Sequence, residues 1–309
     1  MHKKRKISVI GVGNLGSCIA YEIANRGLTE ELVLIDILRD LAEGNAADIG
    51  QAIAFRNNVE VYAGDYEDAA DSEMIVVTAG KPRTPKMKTR LELLEVNKKI
   101  ISDVAQRIRR IAKDSIVITL TNPVDVINYL MWRYTGFPRR RVIGSAGMLD
   151  SARFRYVLSR RHSVPVLDVE AYVIGEHGEN QVPVFSKVKI RGEDIKFANE
   201  EKIEIFRDLR KSALTVISKK GATIYAPANN TVNMIEAILE RKRNIYVCSA
   251  ILDGEYNLKN ISIGVPVILG ENGIEKIIEW NLDEDEEKIF YSGAKNIENA
   301  IKSVLKEDN

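Results

Sequence analysis

Residues 6–16 read KISVIGVGNLG, and the fold turns on the three glycines at positions 11, 13 and 16. A G-x-G-x-x-G triplet alone is a common turn. Here it follows an apolar, β-branched run and opens LGSCIAYEIANRG, a helical pattern, which is the strand–turn–helix setting of a dinucleotide-binding βα unit. In that setting Gly11 permits the tight turn, Gly13 lets a pyrophosphate approach the backbone, and Gly16 lets the helix pack close to the strand. The first N–H groups of the helix have no intrahelical partner and carry a partial positive charge, so they suit phosphate oxygens.

Outward from this turn, short β-branched runs recur: ELVLIDI, VEVYAG, MIVVTAG, SIVITLT and RVIGSAG. Helical stretches separate several of them, most clearly residues 89–112. There Ile100, Ile101, Val104, Ile108 and Ile111 return at three- and four-residue spacing among Lys, Arg and Asp. Strands alternating with helices predict an α/β fold with a doubly wound parallel sheet of the Rossmann type. Beyond about residue 145 the pattern changes to a helix, a strand at VEAYVIGE, long helices and a hairpin near residues 245–269. The expected division is a Rossmann domain at 1–144 and an α+β domain at 145–309.

The composition narrows the function. The chain has 309 residues, 45% of them hydrophobic, with 45 basic against 44 acidic side chains. A net charge of +1 and no interleaving of aromatic with basic residues argue against a nucleic-acid binder. Cys18 and Cys248 lack metal-type spacing and are expected as buried apolar fillers in a reducing, cytoplasmic setting, with no metal site. MHKKRK runs straight into a strand, which is unlike a signal peptide, and no apolar run is long enough to span a membrane.

Several polar residues stand where a redox site would need them. Asp36 ends the second strand twenty residues after Gly16, where the fingerprint places an acid on the ribose hydroxyls. A carboxylate there repels a 2′-phosphate and favours NAD over NADP, although Arg39 lies close by. The alternative is that Asp36 caps the next helix. Of three histidines, His2 is terminal and His162 sits at a polar helix end. His177 instead follows the apolar AYVIG in the turn GEHGEN. Carbonyl reduction by hydride needs a proton donor near neutral pH, which histidine can be. Asp150, in MLDSARFR, is its candidate partner, and Arg153 three residues on shares that helical face. Asp150 as an N-cap beside a solvated Arg153 remains the alternative. TNPVD ends the fifth strand, and Asn122 within it can donate to a carbonyl oxygen or to nicotinamide.

GVGNLG, LVLID, VVTAG, TNPVD, LDSARFR and IGEHGE occur in the order of the lactate/malate dehydrogenase family, and the chain resembles it over roughly residues 6–270. The resemblance implies that His177 is the proton donor and acceptor, with Asp150 as its partner. It implies that Arg153 grips the substrate's 1-carboxylate and that Asn122 orients its carbonyl. It implies an NAD site comprising Gly11, Val12, Gly13, Asn14, Leu15, Gly16, Asp36, Thr78, Ala79, Gly80, Asn97, Thr121 and Asn122. Family relatives imply a homodimer or homotetramer.

The resemblance also gives a reading of KPRTPKMKTR, residues 81–90, where five of ten side chains are cationic. The stretch is similar to the mobile lid that closes over substrate, in which Arg90 would stabilise oxyanion charge. Arg83, third after TAG, stands at the family's substrate selector. Arginine there matches the distal carboxylate of a dicarboxylate such as malate or oxaloacetate; glutamine there matches pyruvate. Arg83 and Arg90 are seven apart rather than the usual six, and Lys86 replaces a glycine. Lys86 or Lys88 therefore competes for the distal carboxylate.

Overall fold

The computed structural model describes residues 4–81 and 90–306, apart from the side chains of residues 90, 91 and 213. The first half runs β1 (Lys6–Ile10), α1 (Asn14–Asn25), β2 (Glu31–Ile35), α2 (Arg39–Ile53), β3 (Glu60–Ala63), β4 (Met74–Val77), α3 (Arg90–Ile111), β5 (Ile116–Thr119), α4 (Val124–Thr135) and β6 (Val142–Gly144). These six strands are parallel, in the order β3-β2-β1-β4-β5-β6. β4 and β5 are buried at every position, as is all but the first residue of β1 and β2. A parallel sheet covered on both faces demands such continuous apolar runs, and the sequence supplies them as VIVV-like segments rather than alternating ones.

The second half comprises α5 (Gly147–His162), β7 (Val169–Glu170), β8 (Val173–Gly175), β9 (Gln181–Pro183), β10 (Lys189–Ile190), β11 (Glu193–Asp194), α6 (Asn199–Lys220), α7 (Tyr225–Leu239), β12 (Ile245–Asp253), β13 (Lys259–Gly270), β14 (Gly273–Ile277) and α8 (Glu284–Lys306). It does not build a separate main sheet. β12 joins β6 antiparallel through Ser249 and Gly144, and β13, β8, β9 and β14 extend the same sheet. One hydrophobic core accordingly contains residues of both halves, from Ile7 to Val304. A smaller core around Phe154, Leu158, Phe185 and Leu209 joins α5 and α6 to the three-stranded sheet β11-β10-β7.

Two sequence readings change. VEAYVIGE is two strands, not one: β7 pairs with β10, and β8 pairs with β13 and β9 in the large sheet. The carbonyl of Tyr172, between them, accepts the N–H of Val184, so the chain changes partners at Ala171 and Tyr172. Cys248 is buried, as expected, but Cys18 is only half-buried because it lies on the partly exposed side of α1. Burial raises the pKa of both thiols, and Glu22 adds to the rise at Cys18. No helix of the described residues is long and apolar enough to cross a membrane.

Candidate active site

In open parallel sheets ligands collect at the carboxyl ends of the strands. Gly11, Asp36, Thr78 and Thr121 follow the ends of β1, β2, β4 and β5. Gly11 leaves β1 at φ +90°, and a Cβ would stand 2.5 Å from the backbone nitrogen of Ala79. At Gly16 a Cβ would stand 1.9 Å from the carbonyl oxygen of Gly11. Gly16 thus brings α1 against the turn after β1, and Gly11 brings that turn against the residues that follow β4. The hydroxyl of Thr78 closes the contact by donating to the Gly11 carbonyl, and Thr121 donates to the Ala79 carbonyl at 2.7 Å. Gly13 differs. It is the N-cap of α1, with φ −65°, and nothing lies within 4 Å of where its Cβ would be. That open face beside unpaired helix N–H groups, of Asn14, Leu15 and Gly16, fits a pyrophosphate.

Asp36 closes the cradle at the end of β2. Its Oδ2 accepts the Val12 N–H at 2.7 Å and its Oδ1 accepts the Leu38 N–H at 3.0 Å. The N-cap of α2 is Leu38, so the capping alternative for Asp36 does not hold. Arg39 turns away from it. Its guanidinium donates to Glu43 at 2.8 Å, Asp65 at 3.3 Å and the Ala63 carbonyl at 3.0 Å. With Arg39 so engaged, Asp36 sets the charge at the strand end.

Asn97, on α3 and 1% exposed, ties two loops together. Its Oδ1 accepts the Lys81 N–H at 2.8 Å, and its Nδ2 donates to the Asn122 carbonyl at 2.7 Å and the Lys81 carbonyl at 3.3 Å. The exit from β4 at Gly80 is thereby fastened to TNPVD. Pro123 is the N-cap of α4, and the Asn122–Pro123 peptide is cis. The Asn122 side chain is exposed beside it. Arg83, Lys86 and Lys88 lie outside the described residues; Arg90 begins α3, with its side chain likewise outside them.

His177, Asp150 and Arg153 meet as the sequence predicts. Nδ1 of His177 and Oδ2 of Asp150 are 2.6 Å apart, while Oδ1 of Asp150 accepts from Arg153 Nη1 at 3.1 Å. A carboxylate only accepts, so Nδ1 carries the proton and Nε2 is the nitrogen whose protonation can change. Asp150 sits four residues after the N-cap, Ala146, with its side chain 4% exposed, which overturns its reading as a cap. Burial disfavours the imidazolium, but the charge of Asp150, its hydrogen bond and the charge of Asp125 together outweigh burial and Arg153. The pKa of His177 is therefore raised above 6.5. A histidine so placed has the chemistry to donate a proton near neutral pH.

Two residues at this site carry no role in the sequence reading. Thr223, in the loop between α6 and α7, accepts from Arg153 Nη2 at 3.4 Å. A lone threonine in a loop leaves no pattern to find it by. Asp125, four residues beyond Thr121, accepts the main-chain N–H of His177 at 2.8 Å. It stands in the quoted TNPVD, and only its pairing across 52 residues reveals its contact. Among the described residues no group of three or more His, Cys, Asp or Glu is placed to hold a metal ion.

Comparison with known proteins agrees with this geometry. Two family models match: lactate/malate dehydrogenase, NAD binding domain, over residues 5–144, and lactate/malate dehydrogenase, alpha/beta C-terminal domain, over residues 147–308. The sequence is 44% identical to malate dehydrogenase of Natronomonas pharaonis over 295 residues, 94% of this chain and 97% of that protein. It is 37% identical to L-lactate dehydrogenase 1 of Clostridium acetobutylicum over 314 residues, 99% of this chain and 100% of that one. Among solved structures, the lactate dehydrogenase of Cryptosporidium parvum complexed with lactic acid and nicotinamide adenine dinucleotide matches with TM-score 0.93 at 34% identity, covering 98% of each chain.

Proposed function

This chain belongs to the lactate/malate dehydrogenase family, and from that premise we propose that it is an NAD-dependent malate dehydrogenase, interconverting malate and oxaloacetate. The observation that carries the chemistry is Asp150, held between His177 and Arg153. The choice of a dicarboxylate rests on Arg83 and on the similarity to malate dehydrogenases.

Bound NADH supplies the hydride. Asp150 keeps the Nδ1 proton of His177 in place, so Nε2 can give a proton to the oxygen of oxaloacetate as it takes on charge. In the reverse direction Nε2 accepts that proton, and Asp150 stabilises the imidazolium formed. Arg153 uses two of its five N–H groups on Asp150 and Thr223 and has others for the 1-carboxylate. Asn122 orients the carbonyl, Arg90 stabilises oxyanion charge, Arg83 meets the distal carboxylate, and Asn97 belongs to the NAD site. Gly11 to Gly16, Thr78 to Gly80, Thr121 and Asp36 form the NAD cradle.

The decisive measurement is kcat/KM for oxaloacetate against pyruvate, in the wild type and in Arg83→Gln. Truncating one member of a desolvated charge pair costs about 2–5 kcal/mol, or roughly 30- to 5,000-fold. Arg83→Gln should lose oxaloacetate activity on that scale, keep its NADH affinity, and hold or gain pyruvate activity. A second reading, a lactate dehydrogenase or broader 2-hydroxy acid dehydrogenase, has support in the longer loop and the 37% identity to a lactate dehydrogenase. Wild-type preference for pyruvate establishes it instead. Loss of oxaloacetate turnover in Lys86→Ala but not in Arg83→Gln would move the distal-carboxylate role to Lys86. We infer, in addition, a cytoplasmic homodimer or homotetramer, which light scattering on the purified protein distinguishes from a monomer.

A further inference from the structure

The acid–base site contains a second buried carboxylate, which the proton transfer from His177 does not use. Asp125 lies in the first turn of α4, immediately after the Asn122–Pro123 segment, and is 4% exposed. Its Oδ2 accepts the main-chain N–H of His177 at 2.8 Å and its Oδ1 accepts the Ser249 hydroxyl, from β12, at 2.6 Å. Behind it the polar contacts continue inward. Ser249 and Ser262 hydroxyls are 2.8 Å apart, Asn128 Nδ2 donates to Ser262 Oγ at 2.9 Å, and Thr119 donates to Asn128 Oδ1 at 2.8 Å. Ser249, Ser262, Asn128 and Thr119 are wholly buried. The chain of groups ends inside the sheet at β5 and β6, so it offers no exit for a proton. Its geometry is that of a support.

Burying a carboxylate costs several kcal/mol, and well-packed apolar residues of similar volume often serve stability as well or better. A purely structural strut has no need of a charge here. What the charge does is determined by its neighbours. Among the described residues, the charged groups acting on the His177 imidazole are Asp150 and Arg153 from α5 and Asp125 from α4. Those acting on Asp125 are His177 and the adjacent Glu176, while β12 contributes the Ser249 hydroxyl.

We infer that Asp125 is a positioning residue of the acid–base site, fixing the backbone of His177 against β12 and adding a negative charge that favours its imidazolium. The inference rests on His177 being the proton donor. Burial pushes the Asp125 carboxyl up to about 6, against the opposing effect of its bonds to Ser249 and His177. Its charge therefore acts on His177 mainly above pH 6 and fades below it.

The test uses the full chain and follows oxaloacetate reduction by NADH from pH 5 to 9. Asp125→Asn keeps the shape and the contacts, since an amide oxygen can accept from His177 and an amide nitrogen can donate to Ser249. It removes only the charge. The descending limb of kcat/KM, where His177 loses its proton, should move to lower pH by roughly half a unit to one unit. Wild type and variant should converge below pH 6, and kcat at pH 8 should fall about tenfold, with NADH affinity unchanged. A merely structural role would lower the melting temperature without moving the limb. Ser249→Ala, which spares the charge, covers the case in which Asp125→Asn does not fold; it should lower kcat severalfold and leave the NADH dissociation constant alone. His177→Asn separates the two claims. If it stays active, the acid–base reading itself falls; if it is inactive while Asp125→Asn keeps the wild-type pH profile, or fails to fold while Ser249→Ala keeps wild-type kcat, this inference alone is overturned.

Discussion

The first turn of the proposed cradle, after β1, is six consecutive residues, Gly11 to Gly16, whereas the proposed acid–base site joins Asp125, Asp150 and His177 across 52 and 27 residues of chain. Both stand over the carboxyl ends of one sheet. The cradle works through what its residues lack: no Cβ at Gly11, Gly13 or Gly16, and no intrahelical acceptor for the first N–H groups of α1. The proposed acid–base site relies on what its side chains carry: a titratable ring bonded to one carboxylate, Asp150, and a second carboxylate, Asp125, on the main-chain N–H of the same residue. A contiguous, backbone-built site is sensitive to added atoms, and a dispersed, side-chain-built site is sensitive to changed charge. Each prediction below presses on that contrast.

The largest effect should come from His177→Asn. Losing a positioned proton donor typically costs about 10²–10⁴-fold in rate. Turnover should fall on that scale while NADH binding, followed by fluorescence titration, stays as in the wild type. The pH dependence sharpens the point. A folded pKa above 6.5 means that the fold binds the proton more tightly than the unfolded chain. His177 therefore contributes stability that is fully present below pH 6.5 and is lost as pH rises through the folded value. The melting temperatures of wild type and His177→Asn should differ most in acid and converge in alkali. A variant that bound NADH poorly would show that the two sites are not separable.

Next come the glycines, where paired substitutions split folding from binding. Gly16→Ala places a Cβ 1.9 Å from the Gly11 carbonyl and 2.7 Å from Thr78 Oγ1, so the helix must shift. Overpacking of this kind costs about 1–3 kcal/mol. Both the melting temperature and NADH affinity should drop. Gly13→Ala meets open space at a φ of −65° that alanine readily adopts. It should fold as the wild type does and yet lose NADH affinity, because the new methyl occupies the approach of the pyrophosphate. Equal affinity in Gly13→Ala and wild type would remove the phosphate from that position.

The same contrast explains what the sequence discloses. Glycine spacing between a strand and a helix is itself the signal for the cradle, so Gly11, Gly13, Gly16 and Asp36 could be read directly. His177 was legible because histidine is scarce and its neighbours on AYVIG are apolar, and Asp150 with Arg153 because a three-residue step shares a helix face. Asp125 was not, since its acceptor role is to a main-chain N–H, which has no residue type. Thr223 reaches Arg153 across 70 residues with no periodicity to mark it. VEAYVIGE misled for a related reason: a short apolar run specifies burial, while its pairing partners, β10 on one side of Tyr172 and β13 on the other, are set elsewhere.

Asp36→Ser tests the one charged side chain assigned to the cradle. Two unit charges 4 Å apart repel by about 1 kcal/mol in bulk water and about 4 at a partly shielded surface. Asp36 is half-buried, so the ratio of kcat/KM for NADH over NADPH should narrow by roughly tenfold when its charge is removed. NADH itself should bind somewhat less well, since the ribose loses its acceptor. An unchanged ratio would mean that Arg39, despite its bonds to Glu43, Asp65 and Ala63, already answers a 2′-phosphate.

The smallest effect concerns the seam between the two halves away from the sheet. Arg26, at the end of α1, donates to Asn229 at 2.5 Å, Asn233 at 2.7 Å and Glu236 at 3.0 Å, all on α7. It also pairs with Glu22 on its own helix at 3.2 Å. The helix that opens at the cradle is thus clamped to the helix that follows Thr223. The side chains of Arg26 and Glu236 are 23% and 24% exposed, so solvent screens part of the attraction. Arg26→Ala should destabilise the protein by about 1 kcal/mol, a fall of roughly 2–4 °C in Tm by scanning calorimetry. NADH affinity and kcat should hold, because β6 and β12 already fix the halves through the sheet and the shared core. A loss of turnover without a loss of Tm would show instead that α1 and α7 transmit cofactor binding to Arg153, and the cradle and the acid–base site would then be one coupled unit.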